Sequence, residues 1–338
     1  MTRRAGIKDV AKEAGVSLGT VSNVLNRPGI VAPSTRARVE AAIDRLDFVP
    51  SESARQLRGR HSRLMAVLVL DLANPFFVAL AQGAEQAARE ADLGVMVCDS
   101  AQSPAEEARY LALFGEQRVR GALLTPADET GRTVAALRRQ GLPFVLVDQG
   151  AGQADVCSVS VDDVAGGHLA MRHLIETGHR SIAYVSGPGR LQQIKDRRAG
   201  ALKAMSEAGL PATALYEVPC DQLTVAAGRD AGSRLLGLAQ RPTAVFCAND
   251  LLALGILQAL YEAGLRVPDD MALVGYDDIE FAASAAVPLT SVRQPAGSMG
   301  EQAARLLIAE TAPQSTLHRH EHVVLRPELV VRRSTVGA

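Results

Sequence analysis

A recurring set of carboxylates, amides and aromatic rings stands out along the chain. Asp71 and Asn74 follow the apolar run at residues 64–70, and Phe76 and Phe77 come directly after them. Asp99, Thr125 and Asp148 close three further apolar runs, and Asn249-Asp250 and Asp277-Asp278 follow two more. Carboxylates and amides exchange hydrogen bonds with hydroxyl groups, and rings stack on the apolar faces of sugars. The mix therefore suits a small polyhydroxylated ligand. Helix capping would explain any one of these Asp residues, but not the series. A second chemistry sits near the N-terminus. Thr20, Ser22 and Asn23 carry side chains able to hydrogen-bond base edges or phosphates.

Catalytic arrangements are missing. There is no GxxxxGK[ST] or HExxH, and Gly187-Pro188-Gly189 continues as Arg190-Leu191-Gln192, which breaks GxGxxG. Asp162-Asp163 and Asp277-Asp278 are adjacent pairs, and neighbours on a strand face opposite ways. Cys98, Cys157, Cys220 and Cys247 lie too far apart for a zinc motif and read as small buried hydrophobes. His318, His320 and His322 alternate, as on an exposed or edge strand. Neither a metal nor a cofactor is expected. An enzyme acting on a sugar-like substrate is the alternative reading of the strand-end residues.

The elements that must hold these residues change character along the chain. Ile7, Val10, Ala11 and Ala14 recur at helical spacing until Gly15 interrupts. Ser17 is a natural cap for a helix over residues 18–25, with Val21, Val24 and Leu25 on its apolar face. Asn26-Arg27-Pro28-Gly29 stops it. A third helix starts at Pro33-Ser34 and carries Val39, Ile43 and Leu46. Three short helices with a Gly-containing first turn describe a helix-turn-helix module, whose second helix enters the major groove. From residue 64 onward apolar strands alternate with helix-length segments. Strands are expected at 64–70, 95–99, 121–125, 143–148, 181–186, 215–218, 243–247 and 271–276. That alternation predicts two doubly wound, parallel-sheet α/β lobes, with ligands at the carboxyl ends of the strands.

Composition agrees with this division. The chain has 338 residues and a net charge of −1. Residues 1–63 hold twelve Lys and Arg against six Asp and Glu, a surplus of six, which leaves −7 on the remainder. A basic block on an acidic body is the footprint of nucleic-acid binding. Apolar residues make up 47%, which excludes a disordered chain. No apolar stretch reaches the ~20 residues of a membrane span, and the N-terminus lacks a signal-like apolar segment, so a cytoplasmic location is expected.

The run Ile7-Lys8-Asp9-Val10-Ala11-Lys12-Glu13-Ala14-Gly15-Val16-Ser17, followed by Thr20-Val21-Ser22-Asn23-Val24-Leu25-Asn26, resembles the N-terminal signature of the LacI/GalR family of bacterial transcription regulators. Ala54-Arg55-Gln56-Leu57 resembles that family's hinge helix. Asn74-Pro75-Phe76-Phe77, Ala248-Asn249-Asp250 and Gly275-Tyr276-Asp277 resemble its effector domain. The resemblance spans essentially the whole chain. It implies a repressor acting as a homodimer on palindromic operator DNA under the control of a small ligand. It divides the chain into a DNA-binding domain at 1–50, a hinge at 51–62 and an effector and dimerisation domain at 63–338. The effector domain would have one lobe at 63–161 plus 292–322 and the other at 162–291 plus 323–338.

The same resemblance assigns DNA contacts to Lys8, Ser17, Leu18, Gly19, Thr20, Ser22, Asn23, Asn26, Ser53, Arg55 and Leu57, with Leu57 as a minor-groove wedge. Leu18 and Gly19 stand at the base-reading positions, and Asn23 stands where Arg or His is common. Ligand contacts fall on Asp71, Asn74, Phe76, Phe77, Thr125, Asp148, Gln193, Arg197, Leu223, Asn249 and Asp277. Arg197 matches through Arg197-Arg198-Ala199-Gly200. A sugar or polyol is expected. Gln149 replaces an arginine common in ribose binders, and Leu191 and Leu223 replace the Arg and Phe of purine binders.

Overall fold

The computed structural model describes residues 5–49, 62–127, 130–150, 152, 155–312 and 318–336. It divides into two compact units, residues 1–62 and 63–338. In the first, α1 (Ile7–Ala14), α2 (Leu18–Asn26) and α3 (Pro33–Arg45) enclose Val10, Ala11, Ala14, Val21, Val24, Val39 and Ala42. Local chemistry sets the boundaries. Asp9 accepts a hydrogen bond from the Gly6 N–H at 2.8 Å. Gly15 ends α1 in the left-handed region at φ +62°, and Val16 N–H closes back on the Ala11 carbonyl at 3.0 Å. Ser17 Oγ caps α2 by accepting from Thr20 N–H at 3.1 Å. Arg45 binds Glu13 at 2.9 Å and joins α3 to α1.

The second unit contains two six-stranded sheets. Its first lobe begins β1 (Leu64–Val69), α4 (Pro75–Glu90), β2 (Gly94–Asp99), α5 (Pro104–Glu116), β3 (Ala122–Leu124), α6 (Thr130–Gln140), β4 (Phe144–Val147) and β5 (Ser158–Val161). The second lobe follows with α7 (Asp163–Glu176), β6 (Ile182–Ser186), α8 (Gln192–Glu207), β7 (Leu215–Pro219), α9 (Val225–Leu236), β8 (Ala244–Cys247), α10 (Asp250–Glu262), β9 (Ala272–Asp277), α11 (Glu280–Ser284) and β10 (Thr290–Arg293). The chain then returns for α12 (Ala296–Glu310) and β11 (His322–Leu325). It ends with β12 (Glu328–Val330) and α13 (Arg333–Val336).

The first sheet runs β11-β5-β4-β3-β1-β2 and is parallel throughout. The second runs β12-β10-β9-β8-β6-β7, and only β12 is antiparallel. The chain therefore crosses between sheets three times, after Val161, after Arg293 and after Leu325. The last two points differ from the expected 291/292 and 322/323. The pairing of β10 with β9 keeps Thr290–Arg293 in the second sheet, and the pairing of β11 with β5 keeps His322–Leu325 in the first. The antiparallel β12 likewise departs from an all-parallel lobe. Among the described residues no helix is long and apolar enough to cross a membrane.

Three helix pairs are packed backbone to backbone: α4 with α12, α7 with α8, and α9 with α10. Glycine permits this approach. A Cβ at Gly83 on α4 would lie 1.9 Å from the Gly297 carbonyl of α12, and one at Gly200 on α8 would lie 1.9 Å from the Val164 carbonyl of α7. Gly83→Ala is therefore expected to destabilise the protein by about 1–3 kcal/mol through overpacking. Gly131→Ala on α6, where a Cβ meets nothing within 4 Å, should stabilise it by about 0.5–1 kcal/mol. Urea unfolding of both variants checks the pair, and equal effects would contradict the close-packing account.

Candidate functional site

In the N-terminal unit, α2 with its cap Ser17, and Lys8 of α1, carry the described residues expected to meet DNA. Leu18 is 45% exposed, and Gly19, Asn23 and Lys8 are also exposed. Ser17 Oγ and Thr20 Oγ1 lie 2.9 Å apart, so both hydroxyls serve the cap. Asn26 Nδ2 donates to the Ser22 carbonyl at 2.7 Å, which turns this amide back onto its own helix. Leu18, Gly19 and Asn23 are thus the residues of α2 most open to a groove. Ser53, Arg55 and Leu57 lie outside the described residues.

In the second unit the strand ends converge between the lobes. Asn74 caps α4 by accepting from Phe76 N–H at 3.0 Å, while its Nδ2 donates across to Asp277 Oδ2 at 3.0 Å. Asp277 closes β9, and its other oxygen accepts from Gln294 Nε2 at 2.8 Å. From the first lobe, Asp148 accepts from Gln193 Nε2 of α8 at 3.0 Å. Arg190 also reaches across, donating to the carbonyls of Gln102 at 2.7 Å and Ala127 at 3.0 Å. Asp148 and Asp277 hold φ values of +61° and +104°. Non-glycine residues in such conformations cost about 1–3 kcal/mol each and gather at functional sites. Phe76 and Phe77 are buried beside Asn74 as an edge-to-face pair with centroids 5.0 Å apart.

Arg197 lies at the centre of the polar group and is only 3% exposed. Its Nε donates to Asp163 Oδ1 at 2.7 Å and an Nη1 N–H donates to the Ala248 carbonyl at 2.7 Å. The guanidinium carbon sits 3.7 Å from the centroid of the Tyr276 ring. Burial pushes Asp148 well above the usual carboxylate range. The charge of Asp163 raises it further, and Arg197 pulls the other way. Asp163 and Asp277 are also raised by burial, with Arg197 opposing it. Burial alone would lower the Arg197 pKa, but Asp163, Tyr276, Asp277 and Asp148 outweigh it and keep the guanidinium charged.

Several buried polar atoms here have no hydrogen-bond partner in the protein: Thr125 Oγ1, Asp148 Oδ1, Gln193 Oε1 and Gln294 Oε1. A depression of about 210 Å³ opens beside Asp148 and Gln193 and is bounded by Ser160, Asp163 and Val324.

Not every expected contact residue joins this group. Asp71 accepts from Ala73 N–H at 2.8 Å within its own turn. Asn249 caps α10 through Leu252 N–H at 2.9 Å and donates to the Leu223 carbonyl at 3.2 Å, so it holds two loops together. Leu223 packs its side chain over Gly187. Conversely, Asp163, Tyr276, Gln294 and Arg190 are absent from the expected set. The adjacent pair Asp162-Asp163 opens a helix rather than lying on a strand. Asp162 caps α7 through Ala165 N–H at 2.9 Å, which frees Asp163 for Arg197.

Residues 6–51 match the family of bacterial regulatory proteins, lacI family, and residues 171–335 match the periplasmic binding protein-like domain. The HTH-type transcriptional repressor PurR of Photobacterium profundum is 33% identical over 331 residues, covering 98% of each chain. Among solved structures, the transcriptional regulator CelR–cellobiose complex is 33% identical with a TM-score of 0.73, covering 98% of this chain and 100% of that one. The lac repressor dimer bound to operator and the anti-inducer ONPF is 29% identical with a TM-score of 0.84, covering 99% of this chain and all of that one. A regulator's N-terminal module and a two-lobed ligand domain are thus joined in one chain, which belongs to the LacI family of bacterial regulatory proteins and is a transcriptional regulator rather than an enzyme.

Proposed function

We propose that the protein is a homodimeric repressor of palindromic operator DNA whose affinity is set by a neutral polyhydroxylated ligand, a sugar or polyol, held between its lobes. The observation that carries the ligand class is the set of buried, unpartnered acceptors at Thr125, Asp148, Gln193 and Gln294. Hydroxyl groups supply the donors these atoms lack, whereas an anion would meet three buried carboxylates. Phe76 and Phe77 supply the apolar contact for a sugar face. The solved CelR relative with cellobiose supports the same class. A purine is the second reading, favoured by the PurR relative, and the aliphatic Leu191 and Leu223 argue against it.

Control follows from linkage. The ligand exchanges the Asn74–Asp277 and Gln193–Asp148 bonds for bonds to itself, so it binds one lobe arrangement better than the other. Operator affinity and ligand affinity then change by the same factor, typically about 5–150-fold. At the DNA, Leu18, Gly19 and Asn23 meet the major groove, and Ser53, Arg55 and Leu57 of the hinge meet the backbone and minor groove.

A site selected from random duplex DNA is expected to be palindromic. Its log affinity should fall with log salt at about −0.9 per neutralised phosphate. Leu57→Ala should weaken that site far more than random DNA, and equal losses on both would remove the wedge.

A thermal-shift panel of sugars, polyols and purines should yield a sugar or polyol that also alters operator affinity. A purine as the sole hit would overturn the ligand class. Thr125→Val should leave the ligand-free protein equally or more stable, because it removes a buried unpaired hydroxyl. It should weaken that ligand about tenfold, the worth of one hydrogen bond. Calorimetric titration decides this, and unchanged affinity would take Thr125 out of the site.

The raised pKa of Asp148 sets a pH dependence. The folded state holds this proton more tightly than the unfolded chain, whose carboxylate titrates near ~3.9. Stability is therefore fullest below that value and declines as pH rises through the raised folded pKa. Asp148→Asn should flatten the decline and raise the melting temperature at neutral pH. Parallel melting curves for the two proteins at every pH would contradict it.

A further inference from the structure

Four potential metal ligands from distant parts of the chain meet in the first lobe. Cys157 immediately precedes β5, Glu310 ends α12, and His318 and His320 lie on the approach to β11. Cys157 Sγ is 3.2 Å from His318 Nε2 and 3.6 Å from His320 Nδ1. With a Glu310 oxygen included, all four donor atoms lie within 4.8 Å of one another. The two imidazoles stand edge to face with centroids 5.3 Å apart. His322, next in the alternation, turns away to Ser158 Oγ at 3.1 Å.

Two further features point to a ligand. Glu310 Oε2 is buried and has no hydrogen-bond partner in the protein. Cys157 is fully buried, and its sulfur accepts the Glu321 N–H at 3.5 Å, which orients it toward the two imidazoles. Geometry and charge select the ligand. Zinc bonds of about 2.3 Å to sulfur and about 2.0 Å to nitrogen, at a tetrahedral angle, place those ligand atoms about 3.5 Å apart. The two sulfur–nitrogen separations bracket that value. A thiolate, a carboxylate and two neutral imidazoles together carry −2, which a divalent cation cancels. Such a neutral set suits a half-buried position better than an unpaired carboxylate does. The mixed sulfur and imidazole donors favour zinc-like ions over calcium or magnesium.

We propose that Cys157, Glu310, His318 and His320 form a four-ligand site for a zinc-type divalent cation. The metal–sulfur bond forms as the thiol proton leaves to solvent. With all four positions filled by protein, the site is structural. It pins the segment entering β11 to the start of β5 and the end of α12, and so anchors the strand from which the chain makes its last crossover.

The test uses the full-length protein, freed of any affinity tag and stripped with a chelator. Cobalt(II) is the probe, because a bound thiolate gives a charge-transfer band and tetrahedral geometry gives intense visible bands. One cobalt per chain, displaced by zinc, is expected, and zinc should raise the melting temperature. Cys157→Ser should abolish the charge-transfer band, and His320→Gln should weaken binding by at least about tenfold. If Cys157→Ser fails to fold, His318→Asn replaces it, with at least about a tenfold loss of cobalt affinity as the expected result. A folded wild-type protein with no cobalt band would overturn the site, as would a charge-transfer band that survives loss of Cys157 or a cobalt affinity unchanged by loss of either histidine.

Discussion

Arg197 is the one fully buried cation among the described residues, and the ligand domain is arranged around it. Its guanidinium lies against the Tyr276 ring, with one edge on the Asp163 carboxylate and another N–H on the Ala248 carbonyl. Burying such an ion is costly, and only near-complete pairing repays it. Pairing is supplied from three places in the second lobe: the first turn of α7, the end of β8 and the end of β9. Removing the guanidinium would leave Asp163 buried and uncompensated, which typically costs about 3–5 kcal/mol. Arg197 is therefore a residue of folding, and a lost ligand response on its removal would not by itself place it in the binding site.

The neighbouring carboxylates follow from that centre. Asp148 and Asp277 can sit close to each other in the interior because Arg197 offsets their charge and burial favours the protonated form of each. Both occupy costly backbone conformations at strand ends. The closely packed helices around them resist relaxation. Gly83 and Gly200 let helix backbones touch, so α4 with α12 and α7 with α8 behave as stiff slabs. Stiff helix pairs leave the three crossovers and the hydrogen bonds that bridge the cleft as the places where one lobe can shift against the other.

Much of this organisation was readable from residue order, because it is local. Ser17 before an apolar face, Gly15 after one, and strand runs ending in Asp or Asn each state their structure within a few residues. The four strands that were not anticipated are short. β5 is Ser-Val-Ser-Val, and β11 and β12 are edge strands with half-exposed patterns that resemble loops. Their sheet membership also decides where the chain crosses between lobes, which is why the two later crossovers shifted by a few residues. Asp163 escaped notice because Asp162-Asp163 looks like a strand pair, and only the capping role of Asp162 shows that it opens a helix. Arg190 lay in a broken glycine motif with no sign that it would span the cleft. Cys157 and His318 are 161 positions apart, far outside any spacing that sequence motifs record.

The cleft's unpaired acceptors and its strained aspartates have a common physical meaning. A folded chain optimised only for stability would pair Thr125 and Gln294 or replace them with apolar residues. Keeping them buried and unsatisfied lowers the stability of the ligand-free state, and whatever binds there recovers that energy. The recovery is available only where the lobes bring Asp148, Gln193, Asn74 and Asp277 to one place, so it depends on their arrangement. A ligand whose binding energy depends on lobe arrangement can shift that arrangement; one that bound both equally could not, however tightly it held.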